Sequence, residues 1–81
     1  MTVVELNIEL ANILKQQPSM KVEWQSRKRV FKIWWKNGKT YATGEEVFQK
    51  AKELHKTTTG KTYDFSFLAH RVYDKHMEIF I

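Results

Sequence analysis

His55, His70 and His76 are the imidazoles of this chain, and Asp64, Asp74 and Ser66 lie among them. These are the side chains that acid–base, nucleophilic or metal chemistry would use. His70 and Asp74 stand about one helical turn apart, but a metal centre needs at least a third protein ligand. Asp64 and Asp74 fall nearly opposite one another on a helix. Ser66 and His70 have i,i+4 spacing, yet no oxyanion donor accompanies them. His76 sits on an apolar stripe, where a hydrogen-bonded core imidazole is the ordinary expectation. "TTTGKT" at 57–62 ends like a phosphate-binding loop, but the position where that motif needs its first glycine is His55. These residues assemble no catalytic centre, no metal site and no cofactor site, so the chain reads as non-enzymatic.

A different chemistry is concentrated in "RVFKIWWKNGKTYA", residues 29–42. Two adjacent tryptophans, a tyrosine and several cations share one short segment. Aromatic rings among lysines suit single-stranded nucleic acid, where bases stack on rings and ammonium groups neutralise phosphates. A β-ribbon of this kind also suits the major groove of a duplex. Whether the segment can do either depends on which way its side chains face.

The elements follow from periodicity and turn chemistry. Residues 2–16 predict a helix, with Thr2 and Glu5 as a capping box and Val3, Leu6, Leu10, Ile13 and Leu14 on one face. A competing strand pattern over Val4, Leu6, Ile8 and Leu10 is outweighed by length and cap, and Pro18 ends the helix. "MKVEWQ" at 20–25 alternates as a half-buried strand. "VFKIWW" predicts a second strand after the "SRKR" break, and Asn37-Gly38 is a strong two-residue hairpin signal returning through "KTYA". Thr43 to Glu46 is a second capping box opening a helix to about Lys56, with Val47, Phe48, Ala51 and Leu54 inward. "TTTGKT" reads as loop. Asp64 or Ser66 can cap a last helix with Phe65, Leu68, Ala69, Val72 and His76 inward, and "MEIFI" either extends it or forms a short closing strand. The predicted class is α+β over residues 1–81 as one domain: an N-terminal helix, a three-stranded antiparallel meander and one or two C-terminal helices.

Register then decides the faces. A two-residue loop at Asn37-Gly38 sets Lys36 opposite Lys39 and Trp34 opposite Tyr41. A two-residue turn at Ser26-Arg27 sets Val22 opposite Phe31. Side chains alternate across a strand, so Met20, Val22, Trp24, Phe31, Ile33 and Trp35 form the core face. The other face carries Lys21, Lys32, Trp34, Lys36, Lys39 and Tyr41 together. Arg27, Lys28 and Arg29 in the first turn offer a further grip on phosphate. Three readings of Trp34 stay open: a binding platform, a Trp–Tyr pair that merely supports its hairpin, and burial beneath a C-terminal helix.

Composition bounds the rest. In 81 residues, 14 Lys and Arg against 9 Asp and Glu give a net charge of +5, which favours an anionic partner. There is no cysteine, hence no disulfide or thiolate site, and a cytoplasmic setting is expected. The first residues lack the basic start and unbroken apolar run of a signal peptide, and no stretch reaches the roughly 20 apolar residues of a membrane span. The element order resembles that of double-stranded-RNA-binding domains, although Gly44-Glu45-Glu46 is acidic where those domains carry lysines. Residues 21–54, with "NGKTYATGEEVFQKAKEL", are similar to the sheet-plus-helix modules by which phage integrase arm-binding domains read a major groove. The expected function is therefore a nucleic-acid-binding module, DNA or RNA. The alternative is a small protein-interaction module, such as a phage- or virus-type inhibitor or accessory subunit, using the same aromatic face.

Overall fold

Thr2 is extended, and its Oγ1 accepts a hydrogen bond from the Glu5 N–H at 3.1 Å, so a free amide of the first turn is satisfied. Helix α1 (Val3–Lys15) follows, burying Leu10, Ala11 and Leu14 completely or nearly so. Asn7 is buried with them, and its Nδ2 donates to the Phe80 carbonyl at 2.6 Å. The computed structural model describes residues 2–61 and 70–81. After α1 come β1 (Met20–Gln25), β2 (Val30–Asn37), β3 (Thr40–Tyr41), α2 (Gly44–Thr59), β4 (His70–Val72) and β5 (Met77–Phe80). Among the described residues this is a small α+β domain with an antiparallel sheet and two helices, α1 and α2.

The sheet order is β1-β2-β5-β4, with the short β3 pairing the far end of β2. Ile33 of β2, Met77 and Ile79 of β5, Leu10 and Leu14 of α1, and Val47 and Ala51 of α2 form the core. Phe31, Trp35 and Val22 pack partly buried against it. Among the described residues no helix is long and apolar enough to cross a membrane.

Both predicted registers shift by two residues. Val22 stands opposite Ile33 and Trp24 opposite Phe31, because the first loop holds residues 26–29 rather than Ser26-Arg27 alone. Arg29 takes the left-handed conformation (φ 53°) to close it, and its carbonyl accepts from the Ile81 N–H at 2.9 Å. The second loop is Gly38-Lys39, not Asn37-Gly38: Asn37 pairs with Thr40 and Lys36 with Tyr41. Gly38 supplies the single positive φ, 71°, so the turn does not need Asn37 there. A shift of two leaves every side chain on its predicted face, since the strand period is two.

Thr43 caps α2 with a complete capping box: its Oγ1 accepts from the Glu46 N–H at 3.3 Å, and Glu46 Oε1 accepts from the Thr43 N–H at 3.4 Å. The helix runs three residues further than expected, through Thr57–Thr59. Thr59 Oγ1 donates to the His55 carbonyl, and Gly60 (φ 71°) ends the helix as a left-handed cap. "TTTGKT" is thus helix end and cap as far as Lys61, not loop throughout.

Of the expected last helix, only the C-terminal part falls on described residues. The caps Asp64 and Ser66 and the inward Phe65, Leu68 and Ala69 lie outside the described residues. Val72 and His76, assigned to the same helix, belong instead to the β4–β5 hairpin. Of the two alternatives for "MEIFI" the strand is the one found: Met77–Phe80 form β5, which lies inside the sheet and pairs with β2 and with β4. Met77 and Ile79 alternate inward with no exposed surface, and that burial is what selects strand over helix here.

His55 of α2 is fully buried, with Nε2 3.9 Å from Glu9 Oε1 of α1. Burial pushes its pKa below the ordinary value, and the Glu9 carboxylate offsets part of that. The folded pKa is therefore lower than the unfolded one, so the unfolded chain takes up the proton first on acidification. Stability should fall as pH drops below about 6.5, by at most about 1.4 kcal/mol per pH unit, and level off below the folded value. Urea midpoints at neutral and mildly acid pH check this. A His55→Gln chain with an equally steep acid limb would rule the group out.

Candidate nucleic-acid interface

The alternation of β2 separates the two indoles. Trp35 faces α2, with Lys50 Nζ 5.5 Å from its ring centroid and Glu45, Glu46 and Glu53 around the same hollow. Trp34 faces the other side. It stands directly opposite Lys21, whose Nζ lies 5.1 Å from the indole centroid. Three glutamates surround Trp35 against one lysine, whereas Trp34 carries the Lys21 ammonium over its ring, so the Trp34 side is the more receptive to an anion.

Trp34 is half-buried, and its supports come from the C-terminal hairpin. His76 stacks on it at 5.4 Å between centroids and an interplanar angle of 27°. Tyr73 stacks on His76 at 4.6 Å and 3°. Arg71 closes the row over Tyr73 at 5.5 Å. Beneath these rings lies Glu78, a buried carboxylate on the outer face of β5. It accepts from Tyr73 Oη at 3.0 Å and lies 3.7 Å from His76 Nε2 and 4.0 Å from Lys32 Nζ. A carboxylate buried this far needs such partners, and by holding them it fixes the rings in place.

Beside the row opens a cleft of about 560 Å³, lined by Lys21, Trp34, Lys39, Thr40, Tyr41 and Lys75. β1 supplies Lys21, β2 supplies Trp34, the Gly38-Lys39 turn and β3 supply Lys39, Thr40 and Tyr41, and the β4–β5 turn supplies Lys75. Tyr41 is the most exposed ring of the set, at 49%. The cleft has the size of a small-ligand site and combines two rings with three cations.

Four of the residues expected from sequence therefore converge: Lys21, Trp34, Lys39 and Tyr41. Lys36 is exposed on the same face, opposite Tyr41, without lining the cleft. Lys32 turns to Glu78, so its charge is partly spent within the fold. Arg27, Lys28 and Arg29 are exposed but sit at the other end of β2, and from Trp34 to Val30 the strand runs roughly 13 Å. They form a separate basic loop rather than a wall of the cleft. His76, expected in the core, lies in the ring row on the outer face. The sequence reading missed Tyr73, Lys75, Glu78 and Thr40 as contributors. The alternation Met77–Glu78–Ile79 was the signal for Glu78, and a hairpin there would have brought Tyr73 and His76 with it. Among the described residues, no group of three or more acidic and imidazole side chains is placed to hold a metal.

Compared with protein-family models, curated proteins and solved structures, the chain matches none.

Proposed function

We propose that the chain is a nucleic-acid-binding module that takes an unpaired segment of a single strand into the Trp34–Tyr41 cleft. The observation that carries this reading is the convergence of Lys21, Lys39 and Lys75 around two ring faces in one cleft. Ring faces suit a ligand that can present a flat π surface, and nearby ammonium groups suit one that is anionic. A nucleotide unit is both. The cleft also favours one strand over two. A duplex keeps its base faces stacked against one another, so a base can reach Trp34 or Tyr41 only when it is unstacked. Lys36 and the 26–29 loop add cations outside the cleft, where they would meet neighbouring phosphates.

Titration of mixed-sequence single- and double-stranded oligonucleotides, followed by anisotropy and by NMR at several salt concentrations, tests this. The single strand should bind more tightly than the duplex. Neutralising phosphate with the three cleft lysines should give a slope of log K against log salt near −2, at about −0.7 per contact. Trp34→Ala should weaken binding by roughly tenfold or more, the worth of one base stack. Unmoved resonances at Trp34, Tyr41 and Lys39 at low salt, or equal affinity for duplex, would remove the proposal.

A further inference from the structure

β1 is an edge of the sheet, and among the described residues no strand pairs with its outer side. Which backbone groups point there is settled by one hydrogen bond. The Lys36 N–H donates to the Ser19 carbonyl at 2.9 Å, so in this register Lys21, Glu23 and Gln25 bond toward β2. Val22 and Trp24 then direct their N–H and C=O groups outward from the sheet, an open template for another strand.

Large apolar side chains cluster at the same margin. Trp24 is 46% exposed, Val4 45% and Ile8 41%. Val4 and Ile8 are one turn apart on α1, and both lie about 100–140° around the helix from Glu9, at about 100° per residue. Glu9 is the residue that faces His55 of α2. The Val4–Ile8 flank is therefore turned away from α2, on the β1 side of the molecule. Residues 16–19 return the chain antiparallel from α1 to β1, and Asn7 bonds the Phe80 carbonyl, which β2 links in register to Gln25. The first turns of α1 thus lie over the Trp24 end of β1.

We propose that this margin is the interface of a homodimer, in which β1 pairs antiparallel with β1 of a second copy, centred on Val22. The charges favour a second copy of this strand and this register over the adjacent ones. Centred on Val22, Lys21 meets the partner's Glu23 and Glu23 meets the partner's Lys21, on a two-fold axis that repeats the pair. Centring on Lys21 would set like cations opposite each other, and centring on Glu23 would set like anions opposite each other; both are unfavourable. The intervening odd registers would pair outward with inward backbone groups. Centring on Val22 also joins the outward amides and carbonyls of Val22 and its counterpart reciprocally, and sets Trp24 against the partner's Met20. The two α1 helices then approach along their Val4–Ile8 flanks. The axis is perpendicular to the sheet, so both Trp34 clefts open on the same side. The dimer does not depend on what those clefts bind.

A pair of six-residue strands with one helical flank buries less than the roughly 1,200 Å² of a standard interface, so association in the range of about 10–100 µM is expected. Sedimentation velocity between about 5 and 500 µM should show the mass rising from one chain toward two. Over the same range, hydrogen exchange of the Val22 and Trp24 amides should slow. Glu23→Lys should weaken the dimer about tenfold or more by opposing two lysine pairs, and the swap Lys21→Glu/Glu23→Lys should restore it. Ile8→Glu should weaken it comparably. All three positions are exposed, and circular dichroism verifies that the fold persists. A single-chain mass at every concentration, or a dimer that Glu23→Lys or Ile8→Glu leaves unchanged, overturns the proposal.

Discussion

Replacing Gly44 with alanine should cost about 3 kcal/mol and lower the melting temperature by roughly 12 °C or more for a domain of this size. Helix propensity alone predicts the opposite sign, since alanine favours a helix over glycine by about 1 kcal/mol. Packing decides between them. A methyl group on Gly44 would overlap the Tyr73 carbonyl oxygen and come within 2.5 Å of the His76 carbonyl oxygen. Both are backbone atoms, so no side chain can swing away. The Gly44 N–H also donates to the Asp74 carbonyl at 3.1 Å, which holds the first turn of α2 against the β4–β5 turn. The only relief is to push that turn outward, together with Tyr73, Lys75 and His76. Chemical denaturation measures the loss, and the Trp34–His76 ring-current shifts would change with it. A stabilised or unaltered Gly44→Ala protein would show that this contact is not tight.

Ending the chain at His76 should abolish the cooperative fold altogether. Residues 77–81 look like a dispensable tail, yet β5 pairs with both β2 and β4. Its removal exposes the inward faces of Ile33, Leu10 and Val47, deletes Met77 and Ile79 from the core, and frees Asn7 from its carbonyl partner. Burying two side chains of that size is worth about 3–6 kcal/mol, comparable with the net stability of about 3–5 kcal/mol available to so small a domain. The truncated chain should give a featureless thermal trace and a collapsed amide dispersion in NMR. A sharp two-state transition from residues 1–76 would contradict the central position of β5.

This tail also shows where sequence reading loses its grip. β1 and α2 were legible because each carries several periods of pattern and, for α2, a capping box at Thr43 and Glu46. β5 has four residues, too few periods to separate strand from helix, and Val72 with His76 satisfies helical spacing by coincidence. Both loops were misplaced, but by a shift that keeps strand parity. The division of Trp34 from Trp35 is accordingly readable without knowing either turn. Lys21, Trp34, Lys39 and Tyr41 were thus found together, whereas Tyr73, Lys75 and Glu78 depend on the hairpin and were not. The loop cations at 27–29 were read from sequence as part of the first turn, and they lie there, at the end of β2 away from the cleft.

The ring row has one more consequence. Trp34 leans on His76, His76 on Tyr73, and Tyr73 is tied to Glu78, all within the protein itself. For a ligand of the proposed kind the wall is built in advance, so capture would need no slow rearrangement of these rings and its speed would be set by collision and the attraction of opposite charge.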